Sequence, residues 1–211
     1  MRARERRTIP LWLKVSYTLF VAVLVPVYWV HYGPANFLWA CDIALLVTVI
    51  ALWRASRLLA SMMAVAVLLP ELVWNLDFFL RLITGQDVIG LDATGYMFNP
   101  QRSLPVRLLS LFHVFLPLLL LWMIWRLGYH ARAGLATTAL CWLVLPLTYL
   151  CTDPARNINW VYGWSDAPQA WLPGPVYVAL LMLMLPLCIY LPTHLVLNRL
   201  FGTSIAPTTA P

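Results

Sequence analysis

Charge is what this chain has least of. Only 10% of its 211 residues are Asp, Glu, Lys or Arg, against about 25% in an ordinary soluble domain. Lys14 is the single lysine beside thirteen arginines, a bias that fits a GC-rich bacterial genome. So few charges exclude a water-soluble globular fold and place the chain in the membrane class. Cysteine spacing is uninformative in the same way. Cys41, Cys141, Cys151 and Cys188 form no C-x-x-C pair, which excludes a disulfide framework and any zinc site recognisable from spacing. No metal and no cofactor are therefore expected. The net charge of +6 does not call for a nucleic-acid partner, because the arginines lie at segment ends and form no basic face between aromatics. The expected partners are membrane lipids, and the oligomeric state is open.

What is abundant is apolar: 62% of the residues, with 11 Trp and 9 Tyr. Those two aromatics favour the membrane interface, where one end of the ring system meets water. Six apolar stretches run near Leu11–Val30, Ala35–Trp53, Leu58–Leu80, Val106–Trp125, Gly134–Leu150 and Gly174–Leu197. Each approaches the ~20 residues that cross a hydrocarbon core as a helix. The expectation is an all-α, polytopic six-helix bundle forming one domain over residues 1–201, with 202–211 a flexible tail. The basic MRARERR start precedes a long apolar run with no A-x-A-like cleavage site, so the first segment reads as a retained signal-anchor helix.

Arginine placement predicts orientation. Arg2, Arg4, Arg6, Arg7, Lys14, Arg54, Arg57, Arg126, Arg132 and Arg199 fall on one side of a six-span arrangement. Arg81, Arg102, Arg107 and Arg156 fall on the other. The positive-inside rule then puts both termini in the cytoplasm of a cell bounded by an inner membrane. The two long connections, residues 81–105 and 151–173, become extracytoplasmic, and long connections often cover a site.

Four ionisable residues sit inside apolar segments: Asp42, Glu71, Asp77 and His113. A charge at the centre of a membrane helix costs roughly 2.5–3.5 kcal/mol on insertion scales, so such residues face a bundle interior, a cavity or a partner. Helical rise places Asp42 and His113 ~10 Å below the outer edge, and Asp77, Asn75 and Glu71 roughly 5, 8 and 14 Å below it. All fall in the outer half of a ~30 Å core. Asp77 and Arg81, four residues apart, are expected to pair at the helix end. Glu71 and Asn75 share a face, where an interhelical hydrogen bond is the plain reading. His113 is either a packing residue or a base. Cys41 is either a small buried hydrophobe or a nucleophile served by that base. In NINWVYGWSD, Asn157, Asn159, Tyr162 and Asp166 could form turns, cap helices or stabilise an oxyanion.

At YGPANFLWACDIALL, SLFHVFLPLLL and NINWVYG the chain resembles bacterial integral membrane proteins described only as membrane-associated. More remotely it is similar to the YwaF-type six-helix family, whose second helix carries P-x-H-x-C-D, whose fourth carries a histidine, and which has an Asn-Tyr motif before the sixth. Cys41 and Asp42 match the Cys-Asp, His113 the histidine and Asn159 the asparagine. Trp39 stands where that family has histidine before Cys-Asp, and Trp160 where it has tyrosine. The resemblance implies a membrane-embedded acyltransferase or lipid hydrolase with a Cys/His site, and the depth of the polar residues puts that site in the outer half of the bilayer. Catalytic roles would fall to Cys41, His113 and Asp42, with Glu71, Asn75, Asn157 and Asn159 as polar lining. The alternatives are a carrier or channel for protons or small solutes, and an assembly subunit.

Overall fold

In the computed structural model, residues 8–90, 92–164 and 168–202 are described. The basic start, Asp166 and the tail beyond Gly202 lie outside them. The fold is all-α. Among the described residues the α-helices are α1 (Leu11–Tyr32), α2 (Ala40–Arg54), α3 (Arg57–Thr84), α4 (Gly95–Phe98), α5 (Leu104–Leu109), α6 (Phe112–Leu127), α7 (Ala133–Cys151), α8 (Gly174–Leu185) and α9 (Leu191–Phe201). A π turn, Pro186–Tyr190, joins α8 to α9 without interrupting the rod. α5 and α6 likewise follow one another across Ser110 and Leu111.

Among the described residues five helical rods are long and apolar enough to cross a membrane: Leu11–Tyr32, Arg57–Thr84, Leu104–Leu127, Ala133–Cys151 and Gly174–Phe201. By length and composition this is a multi-pass membrane protein. The second expected segment differs. Its first residues wind as a 3-10 turn, Pro34–Leu38, and α2 proper has 15 residues. Such a helix is ~22 Å long, short of the ~30 Å core. The cause is local: Pro34 has no N–H to give, and Trp39 is extended at φ −56°, ψ 136°, so the helix restarts only at Ala40.

α3 is the central rod, packed on α2, α6 and α7. Small residues permit the close approach: Ala44 and Ala51 on α2 and Ala60 and Ala64 on α3 are fully buried, as membrane helix interfaces favour. Large apolar side chains face outward on every rod, Leu19, Leu72, Leu118, Leu143 and Leu183 among them, which suits a lipid surround. Ser56 starts α3, its Oγ accepting from the Leu59 N–H at 3.3 Å. Gly85, at φ +71°, ends it in a conformation that glycine adopts without strain.

Proline inside a membrane helix frees the carbonyl four residues earlier, and here two freed carbonyls have side-chain partners. Pro117 leaves the His113 carbonyl free, and Asn75 Nδ2 donates to it at 2.8 Å. Pro186 leaves the Met182 carbonyl free, and Trp142 Nε1 donates to it at 2.8 Å. At the opposite end, the Tyr129 N–H donates to Phe201 O, and Gly202, assigned above to the tail, bridges to Tyr129.

The connection after α3 folds onto the bundle. Asp77 is fully buried and does not pair with Arg81; its Oδ2 accepts from both the N–H and the hydroxyl of Thr94, at 2.9 and 2.7 Å. Arg81 instead meets Asp87 at 3.2 Å and Asp92 at 2.7 Å. The expected pair fails because Asp77 lies on the buried face, where the returning loop brings a closer double donor. Thr94→Val should therefore cost about 1–3 kcal/mol by depriving a buried carboxylate of a donor. Arg81→Ala, at a partly solvated pair, should cost under about 1 kcal/mol. Thermal unfolding of the two purified variants in detergent checks this ranking, and Trp142→Phe should lose about 1 kcal/mol in the same assay.

Candidate functional site

The restart of α2 at Ala40 sets Cys41 and Asp42 in the first turn of a helix, where backbone N–H groups lack intrahelical partners. Two outside groups hold that turn. Asn159 Oδ1 accepts from the Ala40 N–H at 3.1 Å, while its Nδ2 donates to Leu38 O at 2.7 Å and Thr148 Oγ1 at 3.3 Å. Asn36, from the 3-10 turn, donates to Asp42 Oδ2 at 3.0 Å. Asp42 is 3% exposed, and its other oxygen, Oδ1, has no hydrogen-bond partner among the described residues.

Glu71 follows Pro70 in the middle of α3 and is 2% exposed. Both its oxygens lie against His113 Nδ1, at 2.9 and 2.8 Å. The expected interhelical bond of Glu71 is thus present, and its partner is His113. In the tautomer with the ring proton on Nδ1, that N–H donates to the carboxylate and Nε2 is left as the acceptor. The ring is clamped. Trp74 stacks on it at 4.5 Å between centroids and 22° between planes, and Phe112 at 4.1 Å and 27°. Asn75 ties the backbones of the two helices, donating to Glu71 O at 2.7 Å as well as to His113 O.

Three helices converge here. The Cys41 sulphur, a Glu71 carboxylate oxygen and a His113 ring nitrogen all lie within 4.8 Å of one another. Cys41 is partly buried and the His113 side chain is 12% exposed, so the cluster is sheltered but not sealed. The three are the kinds of donor that transition metals accept, and they are also the parts of a nucleophile, base and orienting acid. Asp42 adjoins them on α2.

The roof comes from the connection after α3. Tyr96 on α4 lies near Ser110, Trp74 and Cys41, and burial pushes its hydroxyl above the ordinary tyrosine value, keeping it a neutral donor. The hydroxyls of Tyr28 and Ser110 lie 2.6 Å apart. Asn157 is occupied within its own loop, donating to Gly163 O at 2.9 Å and accepting from the Tyr162 N–H at 3.0 Å. Tyr162 packs against the carbonyls of Tyr149 and Thr152.

Of the residues singled out in the sequence, Cys41, Glu71 and His113 meet, and Asp42 and Asn75 touch their supports. Asn159 holds the start of α2, and Asn157 shapes its turn. Trp74, Asn36, Ser110 and Tyr96 were not anticipated. Trp74 could have been found, since it lies three residues after Glu71 and so on the same helix face. Asn75→Leu should destabilise the protein by about 1–3 kcal/mol, because the carbonyl freed by Pro117 then has no donor. Pro117→Ala in that background should recover part of the loss, as read by thermal unfolding.

No protein-family model, curated protein or solved structure matches the chain.

Proposed function

We propose that this is a membrane-embedded enzyme acting on lipid or acyl chains in the outer half of the bilayer, with Cys41 as nucleophile, His113 as base and Glu71 as the group that orients the base. The observation that carries the reading is the meeting of Cys41, Glu71 and His113 from three separate helices. The motif resemblance to the YwaF-type family points the same way. The proposal includes a six-span arrangement in a bacterial inner membrane with both termini cytoplasmic. In it α2, with its preceding 3-10 turn, is the shortened span, and its start lies at the depth of an acyl carbonyl.

His113 takes the Cys41 thiol proton, and the sulphur attacks the acyl carbonyl carbon. As the C–S bond forms and the C–O bond to the leaving alcohol breaks, His113 gives that oxygen its proton. Water, or the hydroxyl of an acceptor, then attacks the thioester with the same histidine as base, and Cys41 regains its proton. Glu71 keeps Nδ1–H bonded throughout, fixing the tautomer and steadying the imidazolium. The α2 N-terminus favours the transient thiolate, since its backbone N–H groups carry partial positive charge. Asp42 steadies that turn through Asn36.

The expected outcome with a thiol-reactive acyl probe is covalent labelling of the purified protein that Cys41→Ala abolishes. Glu71→Gln should slow labelling by about 100-fold or more while the fold persists. Unchanged labelling of Cys41→Ala would remove Cys41 as nucleophile. A proton flux in proteoliposomes that depends on Glu71 and ignores Cys41 would instead favour a carrier.

A further inference from the structure

Counting charge around the cluster exposes a deficit. Cys41, Asp42 and Glu71 bring one thiol and two carboxylates together in a low-dielectric interior. Among the described residues the only basic group paired with any of them is the imidazole of His113. Arg81, on the same helix as Glu71, is occupied by Asp87 and Asp92. Arg107 is bound to Met97 O at 3.0 Å. Arg102 lies over the rings of Tyr32 and Tyr96. Burying anionic groups without a cation is costly, and the cost is met by protons or by a bound metal ion.

The donor set favours a metal of a definite class. Sulphur, imidazole nitrogen and carboxylate oxygen are the three ligand types of zinc, at about 2.3, 2.0–2.1 and 2.0–2.2 Å. Tetrahedral geometry at those lengths separates ligand atoms by roughly 3.4–3.7 Å. The donors here lie within 4.8 Å of one another, and the Glu71–His113 contact of 2.8 Å would open by roughly 0.6 Å. Hard cations such as magnesium and calcium prefer all-oxygen sites, whereas thiolate and imidazole select zinc and its neighbours. The surroundings have what such a site needs. Trp74 and Phe112 form an apolar wall around the histidine. Asn75 fixes the backbones that carry two of the ligands. Asp42, next to Cys41 in the chain and 3% exposed, has an Oδ1 without a hydrogen-bond partner among the described residues. Local spacing could not reveal this site, because its three ligands come from three helices.

We propose that Cys41, Glu71 and His113 bind one divalent ion of the zinc class, and that this ion and an acyl group compete for the Cys41 sulphur. On binding, the thiol proton leaves to solvent, the His113 ring proton passes from Nδ1 to Nε2 by exchange with solvent, a metal–sulphur bond forms, and Glu71 and Nδ1 turn from each other to the ion. The same electron pair cannot then attack a carbonyl, so the metal-loaded protein is the silent form of the enzyme. The competition rests on the acyl-transfer reading; metal binding itself does not.

The test uses the full-length chain in detergent, equilibrated with zinc chloride, freed of excess metal and assayed by mass spectrometry. The expected result is one equivalent of zinc in the wild type, lost in Cys41→Ser and His113→Ala. Asp42→Asn should weaken binding by about 10-fold, as supporting groups of metal sites do. Cobalt(II) in place of zinc should give a thiolate-to-metal charge-transfer band that disappears in Cys41→Ser. That conservative variant should stay monodisperse, which separates ligand loss from misfolding. No retained zinc in the wild type, or equal retention in Cys41→Ser, overturns the site. Zinc should also block acyl-probe labelling of Cys41, and a chelator should restore it; labelling indifferent to bound zinc overturns the competition. Absent labelling of metal-free protein that still binds one zinc would sink the acyl-transfer reading and leave the metal site standing.

Discussion

A hydrocarbon surround offers no water to a polar group, so each one inside the bundle must find its partner within the chain. That constraint organises the structure. Pro117 and Pro186 each free a carbonyl in the apolar zone, and Asn75 and Trp142 reach across from neighbouring helices to take them. Asp77 draws the loop after α3 down onto the bundle because the N–H and hydroxyl of Thr94 are the donors within its reach. Asn159 closes the other side, giving the first turn of α2 an acceptor and taking donors' places at Leu38 and Thr148. The loops are fastened to the helices by the buried polar groups, and α3, which carries Glu71, Asn75 and Asp77, is the rod they share.

The candidate site follows from the same rule. Glu71 needs a donor and His113 provides one, so α3 and α6 are locked at the depth where α2 begins. The shortness of α2 then matters for chemistry. A full-length helix would pass that depth mid-rod, with its N–H groups spent on its own carbonyls. A helix starting at Ala40 puts Cys41 in a first turn whose amides have no intrahelical acceptor. The site is thus the product of a proline-broken segment, a histidine held by a buried acid, and a thiol at a helix start.

Much of this architecture is legible in the order of residues. The rods at 11–32, 57–84 and 133–151 follow from unbroken apolar runs, and the common depth of Cys41, Glu71 and His113 follows from counting residues inward from segment ends. Asp77 shows where counting fails. Spacing of four residues offers it Arg81, but a loop seventeen residues later in the chain supplies Thr94 in its place. Asn36 and Tyr96 were invisible for the same reason: nothing local distinguishes them from interfacial residues. The break at Pro34–Leu38 was signalled by its proline, yet apolar neighbours on both sides masked it.

The amino-acid sequence by itself determined the solvent this protein folds in, the positions of most helices and the unusual polar residues, because hydropathy and helical rise act along the chain. Which of those polar residues meet was decided by the tertiary structure alone. Cys41, Glu71 and His113 are distant in sequence, and they come within one ligand sphere only when α2 and α6 pack on α3 and against each other. Rotation of each helix about its axis selects the meeting, and that rotation is set by packing and by the hydrogen bonds that buried polar groups make between helices.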